Sequence, residues 1–156
     1  MINDRMPERV AVLDDDIKFI RMVERMLGSE GIHVEPVTTP DVDEAVRVVA
    51  LTRCSAALVD VYMYGNPQGF RLIEALRHDP ATAALPLIVT SGAHRELGRR
   101  VGFLVDRHCS LLLKPFGIED LLDRLAGSWE RATREPSSPV MLPKERFRLR
   151  EGTVGT

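Results

Sequence analysis

The sequence predicts an α/β fold: a parallel sheet of five strands with helices covering both faces. Three observations carry that reading. Five short apolar runs recur along the 156 residues, and each is followed by a stretch whose apolar residues are spaced by three and four. The runs are apolar throughout instead of alternating with polar residues, as strands buried on both faces must be. At 44% hydrophobic, the chain can also build one core of ordinary domain size.

The elements follow in order. Val10 to Leu13 is too short for a helix and stops at Asp14-Asp15-Asp16, a run poor in strands and favourable at a helix N-terminus. Ile17, Ile20, Val23 and Leu27 then recur at helical spacing, and Gly28 suits the stop. Gly31 opens the second run, Ile32 to Val37. Thr39-Pro40 reads as an N-cap and first helical residue ahead of the face Val42, Ala45, Val46 and Val49. Ala56 to Val59 is the third run and ends at Asp60. Beyond a loop holding Gly65, Asn66, Pro67 and Gly69, a helix carries Phe70, Ile73 and Leu76, and Asp79-Pro80 ends it. Leu85 to Val89 is the fourth run and ends at Thr90-Ser91-Gly92. A helix is expected between Arg95 and Val105, against the preference of Gly98 and Gly102. Leu111 to Leu113 leads into Lys114-Pro115, and Ile118, Leu121, Leu122, Leu125 and Trp129 form the face of the last helix.

Twenty-one Lys and Arg against 23 Asp and Glu give a net charge of −2, which speaks against binding nucleic acid through bulk positive charge. Two cysteines, Cys54 and Cys109, cannot staple a secreted scaffold. No apolar run approaches the roughly 20 residues of a membrane span, and the first residues lack the apolar stretch of a secretory signal. A cytoplasmic protein is expected. Residues 1–7 read as an N-terminal extension, 8–130 as the domain, and 131–156, with its prolines and serines, as an extended or disordered tail.

Polar residues collect at the carboxyl ends of the predicted strands, where open parallel sheets bind ligands. Asp14 and Asp15 end the first, Asp60 the third, Thr90 and Ser91 the fourth, and Lys114 the fifth. Clustered carboxylates need a cation, and a hard divalent ion such as Mg²⁺ suits oxygen donors. An Asp beside that ion can act as nucleophile toward phosphorus, with an ammonium and a hydroxyl spreading the phosphoryl charge. Taken singly, Asp14 to Asp16 also reads as a plain helix cap and Lys114-Pro115 as a turn. Their joint placement on one edge is the stronger signal.

The chain resembles the receiver domain of two-component response regulators in Val12-Leu-Asp-Asp-Asp16, Leu58-Val-Asp60, Pro86-Leu-Ile-Val-Thr-Ser-Gly92 and Leu112-Leu-Lys-Pro-Phe116. The resemblance covers about residues 8 to 130 and implies a flavodoxin-like (CheY-like) sheet of order 2-1-3-4-5 with five helices. It implies Asp60 as phosphoacceptor, Asp14 and Asp15 as the acidic pair, and Asp60 and the backbone carbonyl of Tyr62 as further Mg²⁺ ligands. Lys114 would pair with the phosphoryl group through a cis Lys114-Pro115 bond. The hydroxyl is Thr90 or Ser91, and counting from Pro86 and Lys114 favours Ser91.

Two positions depart from the family pattern. Met63-Tyr-Gly-Asn-Pro-Gln-Gly69 is one residue longer than usual after the phosphoacceptor and lacks the customary acid, which implies an altered loop. Leu111 stands where an aromatic switch residue is usual, so a hydroxyl-to-aromatic coupling cannot operate in its ordinary form. The reading is a single-domain receiver, not an enzyme beyond autophosphatase activity. It would be phosphorylated by a sensor histidine kinase or histidine phosphotransfer protein and act on a downstream protein target, with homodimerisation on phosphorylation open. One alternative is a degenerate receiver used as a phosphorylation-independent scaffold. Another is an aspartyl-nucleophile phosphatase, against which Tyr62 counts by standing where such enzymes carry a second Asp.

Overall fold

The computed structural model describes residues 5–92 and 94–134. Its five strands are β1 (Arg9–Leu13), β2 (His33–Val37), β3 (Ala56–Asp60), β4 (Leu87–Ser91) and β5 (Cys109–Leu113). They form one parallel sheet in the order β2-β1-β3-β4-β5, as the resemblance implies. Between and after them run α1 (Ile17–Gly28), α2 (Val42–Leu51), α3 (Gln68–His78), α4 (His94–Arg99), α5 (Val101–Asp106) and α6 (Ile118–Arg134). That makes six helices among the described residues against the five expected.

The sheet divides the core in two because successive strand residues point to opposite faces. Ala11, Leu13, Ala57, Val59, Leu87, Val89, Leu111 and Leu113 pack with residues of α2, α3, α4 and α5. Val10, Val12, Leu58, Ile88 and Leu112 pack against Ile20, Val23 and Leu27 of α1 and Leu121 and Leu125 of α6. Burial on both faces explains the uninterrupted apolar runs. Pro36 is tolerated in β2 because that strand is at the sheet edge.

Several boundaries differ from the sequence reading. β4 begins two residues late, because Pro86 cannot donate to a ladder and the Leu85 N–H is taken by Thr82 O at 3.0 Å. The strand therefore runs through Thr90 and Ser91. α2 is capped by Asp41, whose carboxylate accepts the Glu44 N–H at 3.0 Å, and not by Thr39. Thr39 instead accepts from Asp41 N–H and donates to the Glu44 carboxylate, leaving Pro40 outside the helix. Ile17, expected on the buried face of α1, is 56% exposed at the first helical position.

The helix expected from Arg95 to Val105 is broken at Arg100, where φ −115° and ψ 11° separate α4 from α5. Arg100 lies over the Phe70 ring at 4.5 Å, Phe70 meets Phe103 edge-on at 5.4 Å, and Arg107 covers Phe103 at 3.5 Å. These cation–π and edge-to-face contacts hold the break against α3. At the amino-terminal end of the sheet, the Arg77 guanidinium donates to the carbonyls of Ala83, Leu85 and Arg107 at 3.0, 2.6 and 2.8 Å, and to that of His108 at 3.4 Å. α6 runs through residue 130 to Arg134, the last of the described residues. Residues 1–4 of the N-terminal extension and 135–156 of the tail lie outside the described residues.

Candidate functional site

The three acids after β1 carry out three different tasks. Asp16 caps α1, accepting the N–H groups of Lys18 and Phe19 at 3.0 and 3.2 Å. Asp14, 1% exposed, accepts the Asp16 N–H on Oδ1 at 2.9 Å and so fixes the cap while turning Oδ2 to the site. Asp15 is exposed and accepts the backbone N–H of Tyr64 at 2.8 Å. The sequence reading did not foresee that last contact, and it shows what the longer loop does. Met63 and Asn66 exchange backbone hydrogen bonds at 2.9 and 3.0 Å around Tyr64 and Gly65, whose φ values are 54° and 72°. Two consecutive positive φ values make a type I′ turn, and Gly65 makes its second position easy. The extra length is therefore folded into a tight turn seated on Asp15.

Asp60 ends β3 and is 7% exposed. Its Oδ1 accepts the Tyr62 N–H at 3.2 Å and its Oδ2 the Lys114 ammonium at 3.2 Å. Lys114 also donates to Asp14 Oδ2 at 2.9 Å and lies 3.9 Å from the centre of the Phe19 ring. Phe116 supports that ring edge-on at 5.8 Å. This aromatic shelf under the ammonium was not read from the sequence; Phe19 is simply one turn into α1. The Lys114-Pro115 bond is cis, as the resemblance implies. Lys114 N–H donates to Ser91 O at 2.9 Å, joining the ends of β4 and β5.

Ser91 and Thr90 are both fully buried at the end of β4. Thr90 stands beside Asp60 in the β3–β4 register, whereas Ser91 follows Leu87 and Val89 on the other face. Leu111 is fully buried among the residues packed on α3, α4 and α5. Tyr62, beside Asp60, is 39% exposed at the rim.

Carboxylate oxygens of Asp14, Asp15 and Asp60 lie within 4.8 Å of one another. Three carboxylates against one ammonium leave two negative charges when ionised, the charge of one Mg²⁺, and every donor is a hard oxygen. The residues present fit that ion. Burial pushes the Asp60 carboxyl up to about 6, with the Lys114 charge opposing and the Asp14 charge adding to the rise. Burial also raises Asp14. Burial alone would lower Lys114, but its hydrogen bond to Asp14 and the two carboxylate charges prevail and raise it.

The raised Asp60 value sets a pH dependence. The folded state holds this proton more tightly than the unfolded chain, so ionising Asp60 without a metal removes stability as pH rises through about 4 to 6. Asp60→Asn should gain on wild type by about 1–3 kcal/mol across that window in metal-free urea unfolding. A difference between the two proteins that stays flat with pH would contradict the assignment. Mg²⁺ should offset the difference by stabilising wild type more than the variant.

Comparison with known proteins identifies the family of the domain. A family model described as the response regulator receiver domain matches residues 10–126. The response regulator MprA of Mycobacterium sp. (strain KMS) is 31% identical over 138 residues, covering 87% of this chain and 57% of its own length. The chain thus spans about half the length of the curated relatives it matches. Among solved structures, a sensor protein from Polaromonas sp. JS666 superposes with a TM-score of 0.68 at 27% identity, over 80% of this chain and 97% of that one. The chemotaxis protein CheY4 of Vibrio cholerae gives 0.62 at 26% identity, over 77% and 97%. No described helix is long and apolar enough to cross a membrane. On the family match over most of its length, the chain belongs to the response regulator receiver domains of two-component signalling.

Proposed function

We propose that Asp60 accepts a phosphoryl group from a histidine of a sensor kinase or phosphotransfer protein in the cytoplasm. The modified domain then presents an altered surface to a downstream protein. One observation carries the reading: the Asp60 carboxylate is held by Lys114 at 3.2 Å in a pocket with Asp14 and Asp15. Asp60 uses an oxygen lone pair to form the new P–O bond while the donor's P–N bond breaks and its electron pair returns to the imidazole. Asp14, Asp15, Asp60 and the Tyr62 carbonyl would hold Mg²⁺, which neutralises charge on the phosphoryl oxygens when bound. Lys114, already on the Asp60 carboxylate, follows the charge outward, and Ser91 is the hydroxyl drawn toward it. Because Leu111 is aliphatic, the response passes through the β4–α4 connection itself and not through an aromatic rotamer.

Incubation with Mg²⁺ and acetyl phosphate, followed by intact mass, tests the proposal. One phosphoryl adduct, labile in base, is expected, and no adduct at any Mg²⁺ concentration would refute it. Lys114→Ala should bind Mg²⁺ at least as tightly as wild type by calorimetry, since an ammonium competing for the same carboxylates is gone. Its phosphorylation should slow by about a hundredfold, the worth of one charge-stabilising donor. Amide resonances of the β4–α4 connection should then no longer respond to whatever phosphorylation occurs.

A further inference from the structure

Thr90 is fully buried, and its hydroxyl has no hydrogen-bond partner. An unpaired buried hydroxyl is unfavourable, and valine would fill the same strand position without that penalty. The placement of Thr90 suggests why threonine stands there. In register it has Asp60 of β3 on one side and Leu112 of β5 on the other. Neighbours in register share a face of the sheet. Asp60 and Thr90 continue the parity of Leu58 and Ile88, and Lys114 that of Leu112, all toward α1 and α6. The unpaired hydroxyl is therefore one strand away from the carboxylate on the carboxylate's own face. Ser91 has the opposite parity within the strand.

We propose that Thr90 Oγ1 is a donor held in reserve for the phosphorylated form of Asp60, a positioning residue separate from Ser91. The inference rests on Asp60 being the phosphoacceptor. In the free protein both Asp60 oxygens already have donors, Tyr62 N–H on Oδ1 and Lys114 on Oδ2. When one of these oxygens bonds to phosphorus and the donor departs with the electron pair of its broken bond, the negative charge moves to the phosphoryl oxygens. Lys114 moves with it, and an acyl oxygen of Asp60 loses its donor. Rotation about the Thr90 Cα–Cβ bond between staggered wells brings the hydroxyl proton to that oxygen.

The test compares wild type, T90V and T90S for binding of beryllofluoride, a phosphoryl mimic, in the presence of Mg²⁺. Wild type binds, T90V binds about five- to tenfold more weakly, the worth of one net hydrogen bond, and T90S restores wild-type affinity. Mg²⁺ alone binds all three equally, and the free T90V protein melts no lower than wild type. Equal beryllofluoride affinity for T90V and wild type would overturn the inference and leave Asp60 as acceptor. A lower melting temperature for T90V would overturn it as well, by showing that the hydroxyl is already partnered in the free state. Failure of wild type to bind the mimic would remove the acceptor assignment and this inference together.

Discussion

Asp60→Asn is expected to abolish phosphorylation completely while leaving the fold intact. The amide is isosteric with the carboxylate but supplies no anionic oxygen to attack phosphorus, so no residual adduct should form on this residue. The substitution retains one acceptor oxygen for either the Tyr62 N–H or the Lys114 ammonium, which now bind separate oxygens of Asp60, and Lys114 keeps its bond to Asp14. Intact mass after treatment with Mg²⁺ and acetyl phosphate should show an adduct on wild type alone. An adduct of equal yield on the variant would mean that the acceptor is elsewhere, with Asp14 and Asp15 next to be tested. Urea unfolding of the two proteins without metal separates this chemical effect from any loss of structure, since Asp60→Asn should be at least as stable above pH 6.

Gly69→Ala should produce the largest loss of stability. A Cβ built on Gly69 would lie 2.2 Å from the Asp60 carbonyl oxygen and 2.6 Å from Val61 Cα. Both are backbone atoms of the strand end that holds the acceptor, so neither can rotate aside. The contact is reinforced by the Gly69 N–H donating to Val61 O at 3.0 Å. Either α3 must retreat from the sheet, opening the contacts of buried Phe70 and Ile73, or β3 must shift and carry Asp60 away from Lys114. A loss of about 3 kcal/mol or more is expected in equilibrium unfolding. Mg²⁺ affinity should fall too if the strand yields instead of the helix. A variant as stable as wild type would mean that the close approach is relieved at no cost.

The sheet was legible because its signal is long-lived along the chain: five runs buried on both faces cannot easily be read as anything else. Asp14, Asp60 and Lys114 were legible for a related reason, since each directly follows such a run and the parallel topology brings those ends together. What escaped the sequence depends on backbone geometry that a single residue does not announce. The seat of the 63–66 turn on Asp15 requires two positive φ values in succession, one of them at Tyr64. The break at Arg100 depends on tertiary rings, Phe70 and Phe103, that lie far apart in sequence. Thr90 and Ser91 were indistinguishable by composition, and only register separates their faces. Gly69 offered a signal that went unused, because a glycine at the start of an apolar helical stretch often marks a close backbone approach.

The guanidinium of Arg77 gives the domain an asymmetry. Its donors reach the carbonyls of Ala83 and Leu85 before β4 and of Arg107 and His108 before β5, so the entry to both strands is fastened to α3 by one cation. At the opposite end the same two strands finish in Ser91 and Lys114, linked by one backbone hydrogen bond and loaded with charge. One cation of α3 thus sets where both strands begin, while three carboxylates and one ammonium gather where they end.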